Sequence, residues 1–136
     1  MEDKLFYVAQ KGIINNGDKV LILFKDDGRI DFPGGKIQEG ADDVKDSFAR
    51  EIMEETGLKV DIGKPFYTWT FTLPERHKNA GRTVFMIGYG CNYIDGDIKI
   101  SDEHVGYEWI DESDLHRFTE NNGEFFIALQ EYFSNK

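Results

Sequence analysis

The order of strand-like and helix-like segments predicts a mixed α/β fold whose sheet is mixed or mostly antiparallel. Segments rich in β-branched and aromatic residues come first, a helix-like segment interrupts them at 42–56, and further strand-like segments precede a last helix-like segment. A parallel sheet would require regular alternation of strands and helices, which is absent. The glycines of PGGK match neither GxxxxGK[ST] nor GxGxxG, so neither a P-loop nor a Rossmann fold is supported.

The N-terminal part of the chain predicts a β-hairpin followed by a glycine-rich loop. LFYVAQKGII and KVLILF have the composition of strands. NNGD between them suits a hairpin turn, because Asn and Gly tolerate positive φ. PGGKIQEG then begins with a proline and contains three glycines, which is typical of a loop.

The segment 42–56 predicts the first helix. Three apolar residues recur at every fourth position and predict a buried stripe: Val44, Phe48 and Ile52. Either Asp42 or Asp43 is expected to cap the N-terminus by accepting a backbone N–H bond. Gly57 is expected to end the helix in the left-handed conformation.

The second half of the chain predicts strands and then a short helix. Four segments have strand composition: LKVDI, FYTWTFTL, TVFMIGYGC and YEWI. PERHKNAG is expected to be a long hairpin connection, and DESDLHRF a short capped helical turn. Helical spacing of Phe126, Leu129 and Phe133 predicts an amphipathic C-terminal helix.

Composition limits the classes of protein to which the chain can belong. With 136 residues and 40% hydrophobic content, residues 1–136 are expected to form a single domain. No apolar run approaches the length that spans a bilayer, and the first residues lack the pattern of a secretory signal. The one cysteine, Cys91, lies in an apolar stretch and is expected to be a buried structural thiol in a reducing, cytoplasmic setting. A net charge of −10 argues against binding to nucleic acid backbones.

Half of this negative charge falls in eighteen residues. Residues 38–55 contain seven acids against Lys45 and Arg50, a net charge of −5. Two interpretations remain open: a solvated acidic helix face, or a cation site. On a helix, Glu51, Glu54 and Glu55 share one face, and carboxylate oxygens in such a group suit Mg²⁺ or Mn²⁺.

The stretch GGKIQEGADDVKDSFAREIMEETGL resembles the Nudix box, GX5EX7REUXEEXGU, in which U is aliphatic. Arg50-Glu51-Ile52 match REU, Glu54-Glu55 match EE, and Gly57-Leu58 match GU. The first half departs from the pattern, because Ala41 stands where the family has Glu and the spacing from Gly35 to Arg50 is one residue longer. Either Asp42 replaces that Glu after an insertion, or that Glu is absent.

The resemblance implies a Nudix-type α/β/α sandwich around a mixed β-sheet and a Mg²⁺-dependent hydrolase, with Mn²⁺ as a second cation. The reaction would be hydrolysis of a nucleoside diphosphate linked to another group, with a (deoxy)nucleoside triphosphate the first substrate to test. ADP-ribose and dinucleoside polyphosphates are alternatives. Two interpretations from other functional classes are also considered: a catalytically silent nucleotide-binding domain, and a calcium-buffering protein. A homodimer is left open.

The resemblance also implies roles for individual residues. Glu51, Glu54, Glu55 and the carbonyl of Gly35 would hold metal, and Arg50 would orient a carboxylate. The general base would be a box glutamate such as Glu54, or Glu103, which follows the strands in SDEH. His77 and His104 are alternative bases, although a surface position is the favoured interpretation of both. Residues proposed to contact substrate include glycines near the phosphates, strand aromatics for which core packing is the favoured role, and two cations that could equally be surface charges: Gly34, Gly35, Lys36, Tyr7, Trp69 and Arg82.

Overall fold

The protein folds into a mixed β-sheet with a helix on each face. The computed structural model describes residues 1–135. In chain order its elements are β1 (Phe6–Asn16), β2 (Lys19–Phe24), β3 (Ile30–Asp31), β4 (Gly34–Lys36), α1 (Val44–Thr56), β5 (Lys59–Thr72), β6 (Thr83–Asp95), β7 (Gly106–Ile110), a 3-10 helix (Glu112–Phe118) and α2 (Gly123–Ser134).

The sheet has seven strands in the order β3-β2-β1-β6-β5, with β4 added to β1 and β7 added to β2. β1 and β6 run parallel over ten paired residues. The five other pairings among residues 1–135 are antiparallel. The sheet is therefore mixed, as the sequence predicted.

Alternation along β2 shows how the sheet separates two hydrophobic cores. Val20 and Ile22 belong to the core that contains Leu129 of α2. Leu21 and Leu23 belong to the other core, which contains Phe48 of α1. Because successive side chains on a strand point to opposite faces, α1 and α2 cover opposite faces of the sheet. This arrangement is the α/β/α sandwich that the resemblance implied.

The N-cap of helix α1 is the second of the two predicted candidates. The Asp43 side chain accepts from the backbone N–H groups of Lys45 and Asp46, so Asp43 is the cap. Gly57 ends the helix at φ 77°, as predicted. Phe48 and Ile52 are fully buried, but Val44 is 44% exposed. The prediction of Val44 in the buried stripe was wrong: as the first residue of the helix it stays exposed, and burial begins one turn later at Phe48.

Two further segments differ from the predictions. LKVDI and FYTWTFTL form one strand, β5, whose register with β6 shifts on both sides of Pro65. Such shifts let a strand continue past a residue that cannot donate a ladder hydrogen bond. Part of the predicted glycine loop is a short strand, β4, which pairs with β1.

Cys91 is buried and unpaired, and burial raises the pKa of its thiol to about 12. This fits the predicted structural role. No helix within residues 1–135 is long and apolar enough to cross a membrane.

Candidate active site

Strand β4 brings the backbone of the Pro-Gly-Gly segment against β1. A Cβ atom on Gly34 would lie 2.0 Å from the Gln10 carbonyl oxygen, and Gly34 has φ 131°, which side chains with a Cβ rarely adopt. Glycine at this position therefore lets the two backbones approach. The Gly34 N–H donates to Glu55 Oε2 at 3.1 Å, which joins the segment to helix α1.

The glutamates of α1 differ sharply in exposure. Glu55 is 9% exposed, and its Oε1 has no hydrogen-bond partner among the described residues. Burial raises the pKa of Glu55 to about 7, although Lys11 and the Gly34 N–H partly oppose the shift. Burial and then the charge of Glu54 also raise the pKa of Glu51. Because these shifts oppose ionisation, a cation bound here would stabilise the charged carboxylates.

The segment after β6 packs along the C-terminal end of α1. Lys99 N–H donates to Thr56 O at 2.9 Å, and Ser101 N–H donates to Glu55 O at 3.1 Å. These bonds place Glu103 and His104 next to Glu55. A ring nitrogen of His104 and a carboxylate oxygen from each glutamate all lie within 4.8 Å of one another.

A cleft of about 380 Å³, the carboxylate cleft, lies between these elements. Its lining includes Gln38, which was not predicted, and most of the predicted metal, phosphate and base residues: Gly34, Gly35, Lys36, Glu51, Glu54, Glu55 and Glu103. A Cβ on Gly35 would lie 2.9 Å from Glu51 Oε2, which shows how near the Gly35 backbone lies to this carboxylate.

Arg50 lies beside Glu54. Its Nε is 3.5 Å from Glu54 Oε1, and both side chains are largely exposed. Such an exposed pair contributes at most about 1 kcal/mol to stability. Arg50 was expected to orient one carboxylate of the helix, and in the structure its partner is Glu54.

A buried chain of charged groups lies behind the cleft. Lys11 Nζ is 3.0 Å from Asp31 Oδ1, and His104 Nε2 is 2.8 Å from Asp31 Oδ2. Burial alone would raise the pKa of Asp31, but the bonds to His104 and Lys11 outweigh it and lower the pKa to about 2. The interpretation of His104 as a surface residue was wrong, because the residue is 7% exposed. The sequence analysis did not predict this group of Lys11, Asp31 and His104, because its members are far apart in the sequence. The position of Asp31 beside Phe32 and Pro33 was the one available sign of a buried acid.

A second cavity, of about 590 Å³, is lined by Lys11 and Asp31 of the charged group just described, and it therefore lies near the carboxylate cleft. We call it the aromatic cavity. Three aromatic residues line it: Trp69, Phe71 and Phe125. The Trp69 and Phe125 rings meet edge to face at 5.4 Å, and Lys25 Nζ lies 5.2 Å from the Phe125 ring centroid. Arg29 adds a third cation to the lining. The cavity thus combines apolar surface with positive charge.

Tyr7 and Arg82 lie elsewhere. Both line a small pocket of about 250 Å³ where the N-terminal ends of β1 and β6 pair. Tyr7 reaches the edge of the carboxylate cleft only through Lys36, whose Nζ lies 5.7 Å from the Tyr7 ring centroid. The lining of neither the carboxylate cleft nor the aromatic cavity, as described for residues 1–135, includes Arg82.

The donor groups of the carboxylate cleft fit a divalent cation. Four carboxylates converge on one cleft, and one of them has a buried oxygen without a partner. Oxygen ligands of this kind are preferred by Mg²⁺ and Mn²⁺. The residues that would hold such an ion are Glu51, Glu54 and Glu55, and Glu103 lines the same cleft.

Comparison with known sequences agrees with this geometry. A family model described as the NUDIX domain matches residues 7–129. A MutT-like protein from Streptomyces ambofaciens is 26% identical over 78% of this chain, and the chain spans 64% of its length. "Nucleoside triphosphatase NudI" from Escherichia coli O81 is 26% identical over 80% of this chain and 84% of that protein. "ADP-ribose pyrophosphatase" from Methanocaldococcus jannaschii is 29% identical over 79% of this chain and 63% of that protein.

Comparison with solved structures gives the same result. The crystal structure of a MutT protein from Methanosarcina mazei Go1 superposes with a TM-score of 0.76 at 26% identity, and covers 99% of this chain and 97% of that chain. The family match extends over most of the chain and includes β1, α1 and the segment that carries Glu103. The chain belongs to the Nudix family of hydrolases, which act on acid anhydrides.

Proposed function

We propose that the protein hydrolyses a nucleoside diphosphate linked to a further group, with Mg²⁺ as its cofactor and a (deoxy)nucleoside triphosphate as the first candidate substrate. The observation that carries this proposal is the proximity of the aromatic cavity to the carboxylate cleft. Asp31 lines the cavity and bonds His104, a ring nitrogen of which lies within 4.8 Å of carboxylate oxygens of Glu55 and Glu103. One compartment suits a cation with phosphates, and the other suits a nucleoside.

In this proposal Glu51, Glu54, Glu55 and the carbonyl of Gly35 hold the cation. A bound divalent ion would neutralise phosphate charge and lower the pKa of a bound water. Arg50 positions Glu54 through their ion pair. Glu103 lies on the exposed wall of the cleft opposite α1 and accepts the proton of the attacking water.

The residues proposed for substrate binding fall into two groups. Gly34, Gly35 and Lys36 would contact the phosphates from the floor of the carboxylate cleft. Trp69 lines the aromatic cavity, where it would contact the nucleoside. Tyr7 and Arg82 could reach only a part of the substrate that extends past Lys36.

Two alternatives concern the substrate. ADP-ribose is one alternative, because Pro74 follows the box by sixteen residues, a spacing that resembles that of some ADP-ribose hydrolases although the rest of their pattern is absent, and it lines the aromatic cavity. One relative is described as a nucleoside triphosphatase and another as an ADP-ribose pyrophosphatase, so both substrates are included in the test. A dinucleoside polyphosphate would have to place its second nucleoside outside the aromatic cavity. A catalytically silent nucleotide-binding domain is the alternative of a different class.

The test is release of phosphate or pyrophosphate from a nucleotide panel with Mg²⁺. The panel contains canonical and oxidised (d)NTPs, ADP-ribose, dinucleoside polyphosphates and nucleotide sugars. For the substrate that turns over, Glu54→Gln should lower kcat by about 100-fold or more, because a ligand carboxylate loses its charge. Asp46→Asn, also on α1 but outside the lining of the cleft, should retain turnover. Nucleotide binding without turnover of any panel member would support the silent domain instead.

We further propose that residues 1–136 act as a single cytoplasmic domain that binds no nucleic acid. The free, buried Cys91 and the net charge of −10 support these assignments. Size-exclusion chromatography with light scattering would decide between a monomer and a homodimer.

A further inference from the structure

His104 has one satisfied and one unsatisfied ring nitrogen. Nε2 bonds Asp31 at 2.8 Å. Nδ1 is buried and has no hydrogen-bond partner among residues 1–135, and the side chain as a whole is 3% exposed. A buried polar atom without a partner is unfavourable and calls for a specific explanation.

A second unsatisfied atom lies nearby. Glu55 Oε1 is also buried without a partner, and Glu55, Glu103 and His104 each offer a ligand atom within 4.8 Å of the others. Two ligands of one ion can be separated by about 4–4.5 Å, roughly twice a metal–ligand distance, so small side-chain adjustments would let His104 and Glu55 share an ion beside Glu103. A cation bound through His104 Nδ1 and Glu55 Oε1 would satisfy both unpaired atoms.

Asp31 fixes the form of imidazole that such a site requires. In a neutral imidazole, donation of Nε2–H to Asp31 Oδ2 leaves the lone pair on Nδ1, which is the atom free to bind a cation. Lys11 holds the other oxygen of Asp31 at 3.0 Å. A carboxylate that orients the second nitrogen of a histidine is the usual partner of a metal-bound imidazole.

We infer that His104 is a ligand of the divalent cation in the carboxylate cleft, and that Asp31 is its positioning residue. The inference rests on the metal site proposed above and adds a nitrogen ligand to its oxygen set. Imidazole favours Mn²⁺ and later transition metals over Mg²⁺, which prefers oxygen. The protein should therefore bind Mn²⁺ more tightly than Mg²⁺, and loss of His104 should weaken Mn²⁺ binding more than Mg²⁺ binding.

The test is pulsed electron paramagnetic resonance of the wild-type protein loaded with Mn²⁺ and no nucleotide. A histidine ligand produces a ¹⁴N coupling, which changes to the ¹⁵N pattern when the protein is labelled with ¹⁵N-histidine. This measurement needs no variant, so it remains decisive even if a substitution at a buried residue prevents folding. His104→Gln should abolish the coupling, whereas His116→Gln, which changes an exposed residue of the 3-10 helix, should retain it.

Calorimetric Mn²⁺ titration tests the positioning role separately. Asp31→Asn should weaken Mn²⁺ binding by about 10-fold or more, the usual effect of losing such a partner. An unchanged Mn²⁺ affinity would refute the role of Asp31. Bound Mn²⁺ without nitrogen coupling would overturn the assignment of His104 and leave the oxygen site intact. Failure of the wild type to bind Mn²⁺ would overturn the metal site itself, whereas absence of turnover with the coupling present would contradict only the proposed hydrolysis.

Discussion

Replacement of Glu55 by Gln should stabilise the metal-free protein at neutral and alkaline pH. Burial raises the pKa of Glu55 from 4.5 to about 7 in the folded protein. Between these values the unfolded chain has lost the proton while the folded chain retains it. The free energy of unfolding of the wild type therefore falls as pH rises from about 4.5 to about 7, and the full penalty persists above pH 7.

The size of the effect follows from the difference between the two pKa values. At 1.36 kcal/mol per unit, the carboxylate lowers folding stability by roughly 3 kcal/mol at pH 8 and by less than about 1 kcal/mol at pH 5. Gln is nearly isosteric, and its carbonyl oxygen can still accept the Gly34 N–H bond. The variant should thus gain most of this free energy at pH 8 and little at pH 5.

The assay is urea unfolding in EDTA at pH 5 and pH 8. Glu54→Gln is the matched control, because Glu54 is on the same helix but largely exposed, so its replacement should change stability by less than about 0.5 kcal/mol. Addition of Mg²⁺ in place of EDTA should raise the free energy of unfolding of the wild type more than that of Glu55→Gln, because the variant lacks one ligand carboxylate. Equal gains at pH 5 and pH 8 would refute the electrostatic explanation, as would a loss of stability at pH 8.

Three other substitutions test separate parts of the structure. Asp31→Asn should destabilise the protein by about 3–5 kcal/mol at pH 7, since it leaves the largely buried Lys11 ammonium without its counter-charge and weakens the bond to His104. Because the folded pKa of Asp31 is about 2, its contribution should be present above pH 3.8 and lost as pH falls toward 2, so urea unfolding of the two proteins should converge in acid. Gly34→Ala should lower the free energy of unfolding by roughly 2 kcal/mol or more, because its Cβ would lie 2.0 Å from the Gln10 carbonyl oxygen; a smaller loss would show that β4 can move. Phe71→Ala removes a 41% exposed ring from the aromatic cavity and should raise KM about fivefold with little change in kcat or melting temperature; unchanged KM would place the nucleoside elsewhere.

Local sequence patterns were sufficient for α1 and its acidic face. Helical geometry alone places Glu51, Glu54 and Glu55 on one side, and the left-handed Gly57 ends the helix where the pattern indicated. The hairpin of β1 and β2 and the capped turn after β7 were predictable for the same reason. Such features depend on residues within a few positions of one another.

Features that depend on distant residues were not accessible in this way. His104 and Asp31 are 73 residues apart, and although Phe32 suggests burial of Asp31, no local pattern identifies His104 as its partner. Trp69 and Arg82 carried equal weight as substrate contacts, yet one lines the aromatic cavity and the other lies in the pocket beside Tyr7. The order of the strands in the sheet decides which of the two residues lines the aromatic cavity.

The sequence by itself determined the chemistry available to this protein: a Pro-Gly-Gly segment, a helix with carboxylates on one face, and an excess of negative charge concentrated there. These properties follow from residue type and from the short-range geometry of the helix. Only the tertiary structure decided that Glu55 is the buried carboxylate, that Glu103 and His104 join it, and that the aromatic cavity lies alongside. Burial and proximity arise when strands and loops from distant parts of the chain pack together, and that packing sets the charge state of each group.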